Sequence, residues 1–334
     1  MHRKCSNRSL LQLSAAVALA FGCSTENGKS AGNPVITTIP VASNVGGIVA
    51  DPKSHFVYVT EFNSGAIGVI NTSTNELSSV INTTAGSPLG LAISRDGTNL
   101  YVTLATPSGG MLQQISAKTG EVIFSIPTGT NPQIPAVSSD ESVICVPAFD
   151  GSVTIFSPDF QGSVTLGGTA LQAVFVNDSV VLVTNGTDVI GEIDTATGAV
   201  LSTSITLPSK VLTEVLTPDK KTLYAAGQNA VYVVDVATAQ VTTTIAVPNP
   251  ANNTLGIPTL STDEKFLYVP VLEIGGVPAL STVVVIGIKQ GAVVGTPIPV
   301  GVAPVQIAVA PTPRGTEGYV SNEISGTVTV IKIK

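Results

Sequence analysis

The sequence has little charge, few aromatic rings and no tryptophan. Charged residues make up 11% of its 334 residues and aromatic residues 4%, whereas about 25% of residues are charged in a typical globular domain. Amphipathic runs of strong helix formers are scarce. The chain is instead rich in Val and Thr, which favour strands, and contains 32 Gly and 22 Pro, which favour turns. This composition predicts an all-β protein with many short strands.

Histidine and cysteine are also rare, with two and three copies respectively. No pair of them has the spacing of a zinc site, and no Asp-rich loop has the calcium-binding pattern. His55, in the turn DPKSHF, is the one imidazole beyond the N-terminal residues, and a Ser-His-Asp triad needs its base beside a nucleophile. The sequence therefore predicts no metal, no cofactor and no catalytic residue. Cys145, within a strand pattern, is expected to be a small buried apolar side chain.

The first 33 residues do not share the strand pattern. A basic start precedes the apolar run from Leu10 to Phe21, which is shorter than the roughly 20 residues of a membrane span but typical of a signal-peptide core. Cys23 follows a small residue and resembles the acylated cysteine of a bacterial lipobox. We expect a signal peptide at residues 1–22, a lipid on Cys23 and a polar tether at residues 23–33.

This interpretation places the protein in the bacterial cell envelope, periplasmic or at the surface, anchored through Cys23. Ordinary signal-peptidase cleavage after Ala18, Ala20 or Gly22, without lipid, is the alternative. Processing before Cys23 removes three basic residues, which leaves 12 of the 15 Lys and Arg against 22 Asp and Glu, a net charge near −10. Such a surface repels nucleic acid and anionic lipid. We therefore predict no nucleic-acid partner, and membrane contact through the lipid anchor alone.

One sixteen-residue pattern, FVYVTEFNSGAIGVIN at residues 56–71, recurs along the chain in degraded form. Five of the six tyrosines share its YVT register, and Cys145 and Leu182 occupy that register in two weaker copies; the tyrosines are Tyr58, Tyr101, Tyr224, Tyr268 and Tyr319. Consecutive positions of the register lie 37 to 51 residues apart. A period near 40–45 residues indicates an array of repeats.

Each copy predicts four strands. A strand such as GLAIS leads through a turn such as RDGT to the LYVT strand, which is followed by a third strand, such as IGVIN, and a fourth, such as EVIFSI. The turns between third and fourth strands place Asn75, Gly120 and Gly198 where a left-handed backbone is required. Because the third strands are almost continuously apolar, both faces of each sheet are expected to be covered. A four-stranded meander covered in this way is typical of a propeller blade.

The last copy ends at Lys334 after its third strand, and Val35 to Ala42 matches the fourth-strand pattern. We expect this N-terminal strand to complete the last blade and close a ring of seven blades over residues 34–334. Closure would remove exposed sheet edges, which otherwise invite aggregation. The predicted fold is an all-β, seven-bladed β-propeller with four antiparallel strands per blade.

The segments FVYVTEF, LYVTLA, LVTNGT and YVSNEI resemble the YVTN family of β-propeller repeats. The resemblance covers residues 35–334, although the copies at Cys145 and Tyr224 depart from the motif. The absence of tryptophan separates the chain from WD-repeat propellers. The resemblance implies the propeller fold and agrees with export. Some similar seven-bladed propellers are lactonases that act on sugar-acid lactones, so it also implies an enzymatic alternative.

Antiparallel topology divides the loops between two faces of the ring. The first-to-second and third-to-fourth turns, which are short and uniform, share one face, and the second-to-third loops and blade connections share the other. Variable loops on a rigid scaffold are where binding usually occurs. The predicted binding residues on this variable-loop face are polar: Glu61, Asn63, Asp150, Asn185, Asp188, Gln228, Asn229, Glu273, Asn322 and Glu323. These residue types are also those that make loops soluble and turns tight.

Two functions are compatible with this pattern. The first, which we favour, is a monomeric, non-enzymatic binding scaffold that holds an envelope protein or a small ligand on its variable-loop face. The second is a lactonase-like hydrolase, which would need Arg, His and Glu clustered at the channel mouth. The apolar insertion at residues 274–280 is a loop over the channel mouth, a longer hairpin or a docking site for a partner.

Overall fold

A computed structural model describes residues 34–202, 204–248, 254–272 and 281–334. Over these residues the chain forms strands and turns, and they include no helix long and apolar enough to cross a membrane. The predicted signal peptide, Cys23, the tether, Glu273 and residues 274–280 lie outside the described residues.

The strands form seven antiparallel sheets, numbered here as blades 1 to 7 in chain order. Blade 1 contains β2 (Val45–Ala50), β3 (Phe56–Glu61), β4 (Ala66–Asn71) and β5 (Glu76–Asn82), and blade 2 contains β6 (Ser87–Ile93), β7 (Asn99–Thr106), β8 (Gly109–Ser116) and β9 (Val122–Thr128). Blade 3 contains β10 (Ala136–Val137), β11 (Ile144–Pro147), β12 (Ser152–Phe156) and β13 (Gln161–Thr165). Blade 4 contains β14 (Gln172–Asn177), β15 (Val180–Thr184), β16 (Val189–Asp194), β17 (Ala199–Val200) and β18 (Ile205–Thr206).

The remaining three blades follow the same order. Blade 5 contains β19 (Val211–Leu216), β20 (Thr222–Gly227), β21 (Ala230–Asp235) and β22 (Gln240–Ala246). Blade 6 contains β23 (Thr254–Leu255), β24 (Thr259–Leu260), β25 (Phe266–Leu272), β26 (Thr282–Gly287), β27 (Ala292–Val293) and β28 (Ile298–Pro299). Blade 7 contains β29 (Pro304–Thr312), β30 (Gly315–Asn322), β31 (Thr327–Lys332) and β1 (Val35–Pro40). The prediction of an all-β, seven-bladed propeller is confirmed.

The N-terminal strand closes the ring as expected. β1 pairs antiparallel with β31, with Ile39 opposite Val328 and Thr37 opposite Val330. The strand ends at Pro40 rather than at Ala42, although the Val41 amide still donates to the Gly326 carbonyl at 3.0 Å. The last blade therefore contains strands from both ends of the described chain.

The core lies between the blades because both faces of the inner strands are covered. Along β3 the side chains alternate: Val57 and Val59 pack against blade 7, whereas Tyr58 packs against blade 2. All but one residue of β4 are buried, while most of β5, on the outside of the ring, is exposed. Cys145 is fully buried among apolar side chains, as predicted, and burial raises the pKa of its thiol.

The turns have the chemistry that the sequence predicts. Asn75, Gly120 and Gly198 adopt φ values of 57°, 73° and 69°, which lie in the left-handed region. In the first-to-second turn of blade 2, Asp96 accepts hydrogen bonds from Thr98 and from Ser94, and these bonds lower its pKa to about 2. The turns on this face are thus held by their own polar groups.

Candidate functional site

A cavity of about 720 Å³ lies at the ring centre and opens on the variable-loop face. All seven blades contribute to its wall, through the starts of their first strands and the ends of their second strands. Most of the side chains that line it are apolar: Val45, Phe62, Pro88, Leu89, Ile134, Phe149, Leu171, Leu212, Leu255, Ile257, Leu272 and Val305. Ligand cavities in proteins commonly measure about 300–1,000 Å³ and have mostly apolar walls, so the volume and lining of this cavity lie in the range of ligand sites.

Glycine allows the first strands to approach one another around this cavity. A Cβ atom on Gly90 would lie 2.6 Å from Ile134 Cα and 2.7 Å from the Gln133 carbonyl oxygen. Both contacts are with backbone, so no side-chain movement could relieve them. The close packing of blades 2 and 3 at the cavity wall therefore requires glycine here.

Several polar groups of the wall already bind neighbouring blades. The side chain of Gln172 in blade 4 donates from Nε2 to the Glu214 carbonyl at 2.7 Å and accepts from the Glu214 amide at 2.9 Å. The Thr213 hydroxyl donates to the Gly256 carbonyl of blade 6 at 2.9 Å. These bonds fix the relative positions of the first strands and leave apolar surface as the main feature of the wall.

Glu323 is the single charged side chain among the described residues that line the cavity. The residue is exposed, but the surroundings desolvate its carboxyl group and raise its pKa. Its backbone is held by two bonds, because its amide donates to the Ala303 carbonyl at 2.9 Å and its carbonyl accepts from the Asn44 amide at 3.1 Å. The Phe62 amide in turn donates to the Asn44 carbonyl at 3.0 Å. Glu323 and Phe62 are thus joined through Asn44 at the mouth.

Phe149 adds an exposed ring to the same mouth. It lines the cavity, yet 52% of its surface is accessible. Ile324, next to Glu323, is 60% exposed. Both side chains add exposed apolar surface to the variable-loop face.

Of the residues that the sequence singled out, most lie at the surface of this face. Asn185 is half-buried, and the exposed ones are Asn63, Asp150, Asp188, Gln228, Asn229 and Glu323. Among the described members of the predicted set, Glu323 alone lines the cavity.

Three of these side chains hold loops in place. Asp150 accepts hydrogen bonds from the amides and hydroxyls of Thr130 and Ser152; partial desolvation opposes ionisation, but these bonds prevail and lower its pKa to about 2. Asn185 accepts from the Thr187 hydroxyl at 2.6 Å, and Asn63 donates to the Ser43 hydroxyl at 3.0 Å.

Glu61 and Asn322 do not belong to the rim, which corrects the expectation from sequence. Glu61 is 4% exposed and Asn322 is fully buried. Each is the last residue of a second strand. Val59 and Val320, two positions earlier, pack against the preceding blade. Because side chains two positions apart in a strand point to the same face, those of Glu61 and Asn322 also point between blades. Asn322 donates to Thr327 and Thr329 on the neighbouring strand, and Glu61 accepts from the Ser64 hydroxyl at 2.8 Å. Both side chains thus contact their own blades, and neither lines the cavity.

The described part of the cavity does not assemble the groups that a lactonase would need. Its wall includes no Arg, Lys or His among the described residues, and these residues contain no cluster of three or more His, Cys, Asp and Glu. The His55 side chain is 71% exposed, 4.0 Å from the Asp51 carboxylate, in a first-to-second turn on the opposite face. Glu61, one candidate acid, is buried within the ring.

Sequence reasoning missed the apolar residues of the site, above all Phe62 and Phe149. Both stand four positions after the YVT register residue, Phe62 one residue and Phe149 two residues beyond the end of the second strand. Leu272 holds the same position in blade 6 and also lines the cavity. A bulky apolar residue where the other copies have Ala, Gly, Gln or Glu is the signal that would have identified these residues.

Comparisons with known proteins support the architecture. A chain in the crystal structure of the mitotic checkpoint complex matches with a TM-score of 0.74 and 11% identity, over 97% of this chain and 99% of that chain. The hydrazine synthase of Kuenenia stuttgartiensis matches with a TM-score of 0.69 and 17% identity, over 93% of this chain and 99% of that chain. These identities show a shared fold alone. No family model matches the chain, and no curated protein matches its sequence.

Proposed function

We propose that the protein is an exported, lipid-anchored propeller of the YVTN type that binds a small ligand or an envelope protein without chemical conversion. The observation that carries this proposal is the central cavity: the described residues of seven blades form a mainly apolar wall, with the Glu323 carboxylate at the mouth, on the face with the variable loops. The rigid ring fixes the mouth, which reduces the entropic cost of binding. The absence of a catalytic cluster from the described wall favours binding over hydrolysis.

The binding face can be tested with a photo-crosslinking amino acid incorporated during synthesis in the native cell. At Phe149, on the mouth, we expect covalent adducts with the bound molecule. Lys118, in the third-to-fourth turn of blade 2 on the opposite face, is the matched control and should give none. Equal adducts at both positions, or adducts at Lys118 alone, would contradict the assignment of the face.

The anchor can be tested by fractionation of cells that produce Cys23→Ser. This substitution should move the protein from the membrane fraction to the soluble fraction, because it removes the acylated thiol. Cys5→Ser, which alters a cysteine within the predicted signal peptide, is the control and should leave the protein in the membrane fraction. Membrane retention of the Cys23→Ser protein would reject lipid anchoring and leave the binding proposal standing.

A further inference from the structure

The described residues of the cavity mouth combine the Glu323 carboxylate with aromatic and aliphatic surface, and this combination has a defined chemical complement. We propose that the ligand class is a small organic cation, with an apolar body that enters the cavity and a positively charged nitrogen or phosphorus centre at Glu323. The inference rests on the proposed binding function and deepens it.

The first argument is charge. Glu323 has no positively charged neighbour among the described residues of the wall, and its backbone is fixed on both sides by hydrogen bonds to Ala303 and Asn44. A carboxylate next to apolar surface is incompletely solvated, so a ligand cation would recover interaction energy that water does not supply there. An anion at the same place would meet repulsion in addition to desolvation.

The second argument is the aromatic lining. Phe62 is tied to Glu323 through the backbone of Asn44, and Phe149 presents a half-exposed ring to the same cavity. Aromatic faces attract alkylated cations, and the interaction is worth about 0.5–1 kcal/mol where solvent has access. Phe62, Phe149 and the Glu323 carboxylate, all among the described residues of the wall, therefore favour positive charge on an apolar body.

The third argument is the interior. Below the mouth the wall is formed by side chains such as Leu89, Ile134, Leu212 and Ile257, while the polar groups of Gln172 and Thr213 are occupied by bonds between blades. A fully hydrophilic ligand, such as a free sugar, would lose hydration there without finding enough partners. The cavity thus favours an amphipathic cation over a sugar or a bare metal ion.

Calorimetry with a pair of probes of nearly equal size and opposite charge tests this proposal. Tetraphenylphosphonium is the cation and tetraphenylborate is the anion, and both are titrated into the purified full-length protein. We expect the cation to bind more tightly. Glu323→Gln should weaken cation binding by about fivefold, the equivalent of roughly 1 kcal/mol, and should leave anion binding unchanged or stronger.

Two further variants locate the effect. Asp159→Asn removes an exposed acid of the third-to-fourth turn of blade 3, on the opposite face of the ring, and it should leave both affinities unchanged. Leu212→Trp places a bulkier side chain in the cavity wall and should weaken the binding of both probes. A thermal melt identifies any variant that fails to fold, and Leu212→Phe then replaces Leu212→Trp.

The outcomes separate the ligand class from the proposed function. Equal affinity for the two probes, or a cation preference that survives Glu323→Gln, would overturn the cationic ligand. Weaker binding of both probes to Leu212→Trp would still support a binding cavity. Probe binding that is unchanged in Leu212→Trp would overturn the cavity as the site, and with it both proposals for small ligands.

Discussion

Two blade junctions each bury a glutamate, and the surroundings of the two carboxyl groups are opposite. Glu317 lies between blades 7 and 1 and is 1% exposed; Glu214 lies between blades 4 and 5 and is fully buried. Arg314 donates to Glu317 at 2.8 Å and 2.9 Å, whereas both carboxyl oxygens of Glu214 have no hydrogen-bond partner. Burial is therefore similar, and pairing differs.

The closing junction is held by a network that crosses from one blade to the next. Arg314 also donates to the carbonyls of Thr72 and Ser73 in blade 1. The Tyr319 hydroxyl lies 2.6 Å from Asn75 Oδ1 and 3.0 Å from Glu317 Oε2. Burial of the Glu317 carboxyl opposes ionisation, but the hydrogen bonds from Arg314, Asn75 and Tyr319 outweigh it and lower the pKa.

The junction between blades 4 and 5 holds the backbone of Glu214 but not its carboxyl group. Its amide and carbonyl bind the Gln172 side chain. It stands opposite Ala225 in the ladder, and Ala225 packs with Leu182 and Leu223. Desolvation in this apolar layer raises the pKa of Glu214 to about 8. The comparison shows that a buried carboxyl group is ionised where partners surround it and protonated where they do not.

The largest effect is expected from removal of the strand that closes the ring. Deletion of residues 35–40 leaves β31 with an unpaired edge and uncovers apolar side chains of the closing junction. We expect a loss on the order of 5 kcal/mol or more in the free energy of unfolding, a large fraction of a typical total. Denaturant titration measures it, and a synthetic peptide of residues 34–41 should restore part of the loss. An unchanged midpoint would show that closure contributes little.

The next effect is expected from Glu317→Gln, which weakens the paired junction. The amide carries no charge and presents donors towards Arg314, so we expect a loss of about 2–3 kcal/mol near neutral pH. Because the folded-state pKa of Glu317 is lowered, its contribution is present above the unfolded pKa and is lost as the pH falls through the folded value. The difference between the two proteins should therefore shrink in acid. A difference that is constant from pH 7 to pH 3 would contradict the role of ionisation.

Glu214→Gln is the same chemical change at the unpaired junction, and its sign should be opposite. The folded pKa of about 8 exceeds the ordinary unfolded value near 4.3, so wild-type stability falls as the pH rises from about 4.5 to 8. Glutamine does not titrate. We expect the variant to gain about 1–3 kcal/mol relative to wild type between pH 5 and pH 9, measured by denaturant titration. A variant that loses stability relative to wild type as the pH rises would refute the protonated state.

The fold could be predicted because its signals are periodic. The tyrosine register fixed the blade number, and the unmatched fourth strand at one terminus predicted the closure that β1 and β31 form. Asn75 and Gly198 were placed in left-handed turns because few residue types adopt that backbone. Such signals depend on local chemistry and on spacing, both of which one sequence contains.

The candidate site was predicted less well, for a physical reason. The sequence predicts loops that begin at Glu61 and at Ser321, whereas β3 extends to Glu61 and β30 extends to Asn322. The same register position holds Leu104, Ala148 or Val271 in other blades, which shows that it faces inward. The size of the cavity depends on the distances between the seven first strands at the ring centre, and no local sequence pattern determines those distances.

The pairing of β1 with β31 also constrains the order of events in biogenesis. The earliest strand of the ring has no partner until residues 327–332 have been synthesised, so the final latch is the contact of greatest sequence separation in the fold. Contacts of this kind form slowly, because the entropy cost of closing a long loop comes before the contacts can stabilise the structure. During that interval the edges of β1 and β31 remain unpaired. A chaperone that binds extended segments would recognise the ring before it closes.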